Sequence, residues 1–149
     1  DMDENRLKLA KELGATHTVS PASGDVFKQV FAIVGDDGVD CAIEAVGIPA
    51  TWNMCQDIVK PGGHIAVVGV HGQSVDFKLE KLWIKNLAIT TGLVNANTTE
   101  MLMKAISSSS VDYTKMLTHR FKFSELEKAY DVFKHAAENQ AMKVVLEAD

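Results

Sequence analysis

The sequence is poor in the residues and runs that most quickly settle a protein's class. It has two cysteines, Cys41 and Cys55, in 149 residues. That is too few for a disulfide framework or a cysteine-based zinc motif. Both read as reduced core thiols, one on a strand and one on a helix. There is no basic run, and 15 Lys and Arg against 20 Asp and Glu leave a net charge of -5. A nucleic-acid surface is therefore not expected. No apolar stretch is long enough to span a bilayer, and none follows a basic leader. The expectation is a soluble, cytoplasmic protein with neither membrane nor nucleic-acid partners.

Several chemical signatures are missing as well. There is no Gly-rich phosphate loop of the dinucleotide or P-loop type. No serine stands in a nucleophile elbow. The five histidines, His17, His64, His71, His119 and His135, lack metal-ligand spacing. Each reads as structural or solvated. His71 is the partial exception, because it follows Val68-Gly69-Val70 at the carboxyl end of a predicted strand. No internal repeat or low-complexity boundary divides the chain.

What is present is alternation of strand and helix. Gly38 to Gly47 and Pro61 to Val70 are short apolar runs punctuated by glycine, and Pro49 to Lys60 between them has a helical pattern. Upstream, Asp3 caps a helix with Leu7, Ala10 and Leu13 at helical spacing, stopped by Gly14. Ala15 to Val19 reads as a short strand, and Asp25 to Val34 as a helix with Val26, Phe27, Val30, Phe31 and Val34 on one face. Downstream, Leu79 to Lys85 is briefly helical and Leu87 to Thr91 is a strand ending at Gly92. Asn97 with Glu100 resembles a helix-start box. Thr118 to Phe121 and Lys143 to Leu146 read as strands. Ser124 and Glu127 form a capping box for a helix that turns Leu126, Ala129, Tyr130 and Phe133 inward. The strands are runs of Val, Ile and Ala rather than strict alternations, which predicts a parallel α/β sheet covered on both faces. In such a sheet ligands lie just beyond the carboxyl ends of the strands.

One carboxylate stands out. In a dinucleotide-binding sheet an acid ends the second strand, binds the adenosine ribose hydroxyls, and is followed at once by a helix. Asp1 has that position, with Arg6 early in the helix. On position alone it also reads as a frayed terminal carboxylate.

Asp1 to Leu7 with Lys11 to Thr16, the Gly38 to Gly47 phrase, Lys60-Pro61-Gly62-Gly63 with Val67-Val68-Gly69, Lys85 to Leu93, and Thr118 to Phe121 with Ala129-Tyr130 occur in an order that resembles the zinc-dependent medium-chain alcohol dehydrogenases. The resemblance runs over essentially the whole chain, 1-149. It implies a partial Rossmann-type parallel sheet flanked by helices, lacking its first strand and most of its second. It further implies a tail that returns toward a catalytic domain. The chain would then be the C-terminal, cofactor-binding portion of an NAD-dependent enzyme that transfers hydride between small alcohols or carbonyls and NAD. Alone it would be inactive. The zinc ligands would lie outside these residues, and family members are usually homo-oligomers.

The same resemblance implies roles for individual residues. Asp1 would accept both ribose hydroxyls and favour NAD over NADP, since a carboxylate repels a 2'-phosphate. Arg6 would lie near the adenosine edge, with Val46 and Gly47 over the adenosine side. Val68, Gly69 and Val70 would line the nicotinamide, and Gly92 and Val94 would contact its carboxamide. Leu93 would face the substrate, and so would Trp83 across a subunit interface. Lys143 would reach the pyrophosphate, although a solvated lysine fits it equally well. Core packing is the competing explanation for Val68, Val70, Leu93 and Trp83. With its central strands absent, the sheet would have unpaired edges, and the isolated chain would repack, pair edge to edge with a second copy, or depend on its missing segment in trans. Two other functions compete: a zinc-free medium-chain quinone or enone reductase, and a non-catalytic interaction module docking through a sheet edge.

Overall fold

A computed structural model describes residues 1–149, which form two compact units. One comprises residues 24–96, the other residues 1–23 with 97–149.

In the first of these, β1 (Val39–Glu44), β2 (Val59–Val67) and β3 (Ala88–Thr91) lie side by side in that order, all parallel. The register sets Glu44 beside Val67 and Val67 beside Thr91, so the three strands end level. α3 (Pro49–Ile58) connects β1 to β2 and packs on both. Pro49 opens it, because proline's fixed φ suits a first turn and its missing N–H needs no partner there. α3 stops at Val59, which is extended, two residues before Pro61. α2 (Val26–Val34) packs on α3, and its start is capped by Asp25, which accepts from the Phe27 and Lys28 amides. α4 (Leu79–Leu82) runs into a single 3-10 turn, Trp83–Lys85, and leads to β3.

Ala42, Trp52, Cys55, Val59 and Ile65 form the core, joined by Val39, Ile58, Val67, Val75 and Leu87. Ile65, fully buried, contributes about 2–3 kcal/mol of apolar transfer. Only one face of the sheet is covered. Strand periodicity turns Ala42 and Glu44 inward and leaves Cys41 and Ile43 exposed, Ile43 to 65%. Of the two thiols expected in the core, Cys55 is there and Cys41 is not.

The other unit contains α1 (Glu4–Glu12), α5 (Thr99–Ser108), β4 (Leu117–Lys122), α6 (Leu126–Lys134), α7 (Ala136–Asn139) and β5 (Lys143–Glu147). Asp3 caps α1 by accepting from the Asn5 amide at 2.8 Å. β4 and β5 form their own two-stranded parallel sheet, with α6 packed on both strands. Ala129 and Ala141 are its buried apolar residues.

Three local expectations fail in this unit. Residues 15–19 form no strand. A strand exists only by pairing, and the one bond holding Val19 is from the Asp1 nitrogen to its carbonyl, at 3.1 Å. The Ser124–Glu127 box does not form. Ser124 donates its amide and hydroxyl to the Asp149 carboxylate, and Glu125 accepts from the Lys122 amide instead. Tyr130 and Phe133 do not turn inward. They line an open apolar groove of about 240 Å³ with Ala129, Val144 and Leu146. α5 begins at Thr99, after a 3-10 turn over Ala96–Thr98 that contains Asn97.

Candidate functional site

The level strand ends in residues 24–96 gather three of the expected segments. Val46 and Gly47 follow β1, Val68 to Val70 follow β2, and Gly92 to Val94 follow β3. Their side chains are open: Val46 is exposed to 61%, Val70 to 88% and Leu93 to 94%. Val68 and Val94 are exposed too, so none of these is core packing. Large apolar side chains left uncovered at one end of a parallel sheet mark a binding edge.

Beneath this edge lies a carboxylate that sequence reading did not single out. Glu44 closes β1 and its side chain is completely buried. Oε1 accepts from the Val46 amide at 2.9 Å, the Gly47 amide at 2.9 Å and the Thr51 hydroxyl at 2.6 Å. Oε2 stands 3.1 Å from His71 Nε2. The Glu44 main-chain carbonyl accepts from the Val68 and Gly69 amides, at 2.9 and 3.1 Å. One residue thus ties the turn after β1 to the turn after β2. Burial pushes its carboxyl up, but the Thr51 hydroxyl, the Gly47 and Val46 amides and the His71 ring together hold it below the usual carboxylate value.

A carboxylate can only accept, so His71 carries its proton on Nε2. His71 Nδ1 is buried and without a hydrogen-bond partner.

The two turns also touch. Gly47 has φ 88°, and a Cβ there would stand 2.7 Å from the Val70 carbonyl carbon. A Cβ on Gly69 would stand 2.9 Å from Gly47 Cα and would collide with the Glu44 carboxylate. Glycine is required at both by packing of one turn on the other. The segment beyond Val70 is pinned as well. Trp52 Nε1 and Gln56 Nε2 donate to the Asp76 carbonyl at 2.7 and 3.1 Å, and Gln56 Oε1 accepts from the Lys78 amide at 2.9 Å.

Asp1, Arg6 and Lys143 belong to the other unit. Asp1 Oδ1 accepts from the Asp3 amide at 2.8 Å, and Oδ2 lies 3.9 Å from Arg6 Nη1. Arg6 Nε lies 3.8 Å from Asp3 as well. Asp1 is thus an exposed carboxylate held just ahead of a helix start, with the Arg6 guanidinium beside it. Lys143 opens β5 and is exposed.

No three His, Cys, Asp or Glu side chains cluster closely enough to hold a metal ion. No helix is long and apolar enough to cross a membrane. Glu44 left a signal that could have been used: an acid ending an apolar strand just ahead of Val46-Gly47, which must find donors if the strand is buried.

Among solved structures, zinc-dependent alcohol dehydrogenase 2 from Streptococcus pneumonia, in its apo form, is 49% identical and superimposes with a TM-score of 0.92, over 100% of this chain and 43% of that one. A protein described as a zinc-binding dehydrogenase from Sinorhizobium meliloti 1021, bound to NADP, is 25% identical with a TM-score of 0.84, over 98% of this chain and 43% of that one. Among curated proteins, an alcohol dehydrogenase of Cupriavidus necator is 30% identical over 137 residues, 89% of this chain and 37% of its own length. The chain thus spans less than half the length of these relatives. The family model described as zinc-binding dehydrogenase matches residues 1–108. With its three parallel strands flanked by helices, this chain belongs to the zinc-binding dehydrogenase family, as part of the Rossmann-like, cofactor-binding domain.

Proposed function

We propose that the chain is the cofactor-binding portion of an NAD-dependent alcohol dehydrogenase of the zinc type, exchanging hydride with a small alcohol or carbonyl substrate. The observation that carries this reading is the level ending of β1, β2 and β3, which presents Val46-Gly47, Val68-Gly69-Val70 and Gly92-Leu93-Val94 along one edge. The buried, unpartnered His71 Nδ1 behind that edge and the tight glycine contact support a surface built to hold a fixed shape. When bound, the dinucleotide supplies the hydride acceptor or donor. The chain's own residues bind and orient it. In this reading Val46 and Gly47 lie along the adenosine side, and Val68, Gly69 and Val70 wall the nicotinamide. Gly92 and Val94 bind the carboxamide, while Leu93 faces substrate. Lys143 reaches toward the pyrophosphate.

Asp1 and Arg6 set the nucleotide preference. A carboxylate accepts ribose hydroxyls and repels a 2'-phosphate. The Sinorhizobium relative holds NADP, so the preference for NAD here rests on Asp1. Zinc does not fit the residues of this chain, which offers no ligand cluster. Its ligands belong to residues outside these 149, which alone are inactive in this reading. The outer strand β3, exposed along its whole length, supports a homo-oligomer, and two unbridged cysteines support a reducing compartment such as the cytoplasm.

The test is a fluorescence titration of NADH and NADPH against the full-length protein and its Asp1→Ala variant. NADH binding should weaken about tenfold, with the loss of a charge-assisted pair of hydrogen bonds, while NADPH binding holds or improves. Equal NADH affinity in the two proteins would remove Asp1 from the site.

A further inference from the structure

Four observations converge on one loop. The Val68 and Gly69 amides are held by the Glu44 carbonyl. The His71 ring returns to Glu44 Oε2 at 3.1 Å. The Asp76 carbonyl and Lys78 amide are held by Trp52 and Gln56. His71 Nδ1 is buried with no partner, so the ring makes its one hydrogen bond through Nε2. The loop from Val68 to Lys78 is therefore clamped at both ends, and between the clamps the His71–Glu44 contact is the hydrogen bond that fixes it.

We propose that Glu44 and His71 form a positioning pair that holds the Val68–Val70 turn as a preset wall for the nicotinamide end of the dinucleotide. This rests on the cofactor reading given above. The two residues act differently. Glu44 holds both turns, through Oε1 on Val46 and Gly47 and through its carbonyl on Val68 and Gly69. His71 ties only the chain just past Val70 to Glu44 Oε2. Losing the imidazole releases the chain just past Val70, at the far end of the nicotinamide wall, and leaves the Val46-Gly47 turn and the Val68 and Gly69 amides bonded. It also leaves Glu44 Oε2 buried without a donor, so the turn relaxes to find one. A wall that must be ordered on binding weakens the ligand by the cost of that ordering.

The test compares NADH with ADP-ribose, which lacks the nicotinamide, on the full-length protein and three variants. His71→Leu and His71→Phe remove the donor at similar volume. His71→Gln places an amide N–H where Nε2 stands. The expected result is NADH binding about five- to tenfold weaker in His71→Leu and His71→Phe, with ADP-ribose binding unchanged and His71→Gln near wild type. Having two apolar variants keeps the comparison open if one fails to fold. The proposal is overturned if the apolar variants bind NADH like wild type. It is equally overturned if NADH and ADP-ribose weaken together, or if His71→Gln is no better than His71→Leu. A wild-type protein that binds neither ligand instead defeats the cofactor reading itself.

Discussion

Glu44 and His71, 27 residues apart in sequence, meet at 3.1 Å across the ends of two neighbouring parallel strands. The acid side chain is completely buried and the imidazole is 17% exposed. The Val46 and Gly47 amides after β1 are anchored to the Glu44 carboxylate, and the Val68 and Gly69 amides after β2 to its main-chain carbonyl.

Acid should loosen the fold through Glu44. Its folded-state carboxyl is held below the ordinary value of 4.5 by the Thr51, Gly47, Val46 and His71 contacts, against the opposing effect of burial. A depressed carboxylate contributes stability that is fully present above its unfolded value and is lost as pH falls through the folded one. The unfolding midpoint in urea should therefore hold from neutrality down to about pH 5 and then fall. Glu44→Gln should cost about 1–3 kcal/mol at pH 7 and flatten the fall below pH 5. A variant with the same acid slope as wild type would assign that slope to other carboxylates.

Adding one methyl group should discriminate among three glycines. A Cβ at Gly47 or Gly69 meets backbone of the facing turn at under 3.0 Å, and Gly47 also needs φ 88°. Each change to Ala should cost about 2–4 kcal/mol in chemical unfolding. Gly72, on the same loop, has nothing within 4 Å and no positive φ. Gly72→Ala should be neutral within about 0.5 kcal/mol.

The two cysteines should react at very different rates. Cys41 is exposed on the open face of the sheet. Cys55 is buried, and desolvation first, then the Glu44 and Cys41 charges, push its thiol up. Brief iodoacetamide treatment of these 149 residues, followed by peptide mass spectrometry, should find Cys41 alkylated and Cys55 intact until denaturant is added. Modification of both at equal rates under native conditions would contradict the packing of α3 on the sheet.

The β1–α3–β2 unit was legible because each signal in it is local. Glycines break the runs, Pro49 opens the helix, and the apolar runs fix the strands. The binding edge was legible from topology, since Val46, Val68, Gly92 and their neighbours follow strands. What escaped were relationships between distant residues. Nothing near Glu44 in sequence announces His71, and nothing near Gln56 announces Asp76. The one-sided sheet was misread because the β1 pattern, with Cys41 and Ile43 as apolar as Ala42, hides its alternation. The Ala15 to Val19 run has strand-like composition, but composition cannot supply a pairing partner. Glu127 was outcompeted for Ser124 by the Asp149 carboxylate, 25 residues away.

Trp52 gives the loop an optical signal of its own. The residue is 6% exposed, its indole N–H is bonded to the Asp76 carbonyl at 2.7 Å, and its ring centroid lies 6.3 Å from that of Phe77. Trp83, the other tryptophan, is 68% exposed. A water-soluble quencher such as iodide should silence Trp83 and spare Trp52. The emission that remains then comes from a chromophore wired to the far clamp of the Val68–Lys78 loop. Any ligand or substitution that shifts that loop can be followed by its colour, without a label.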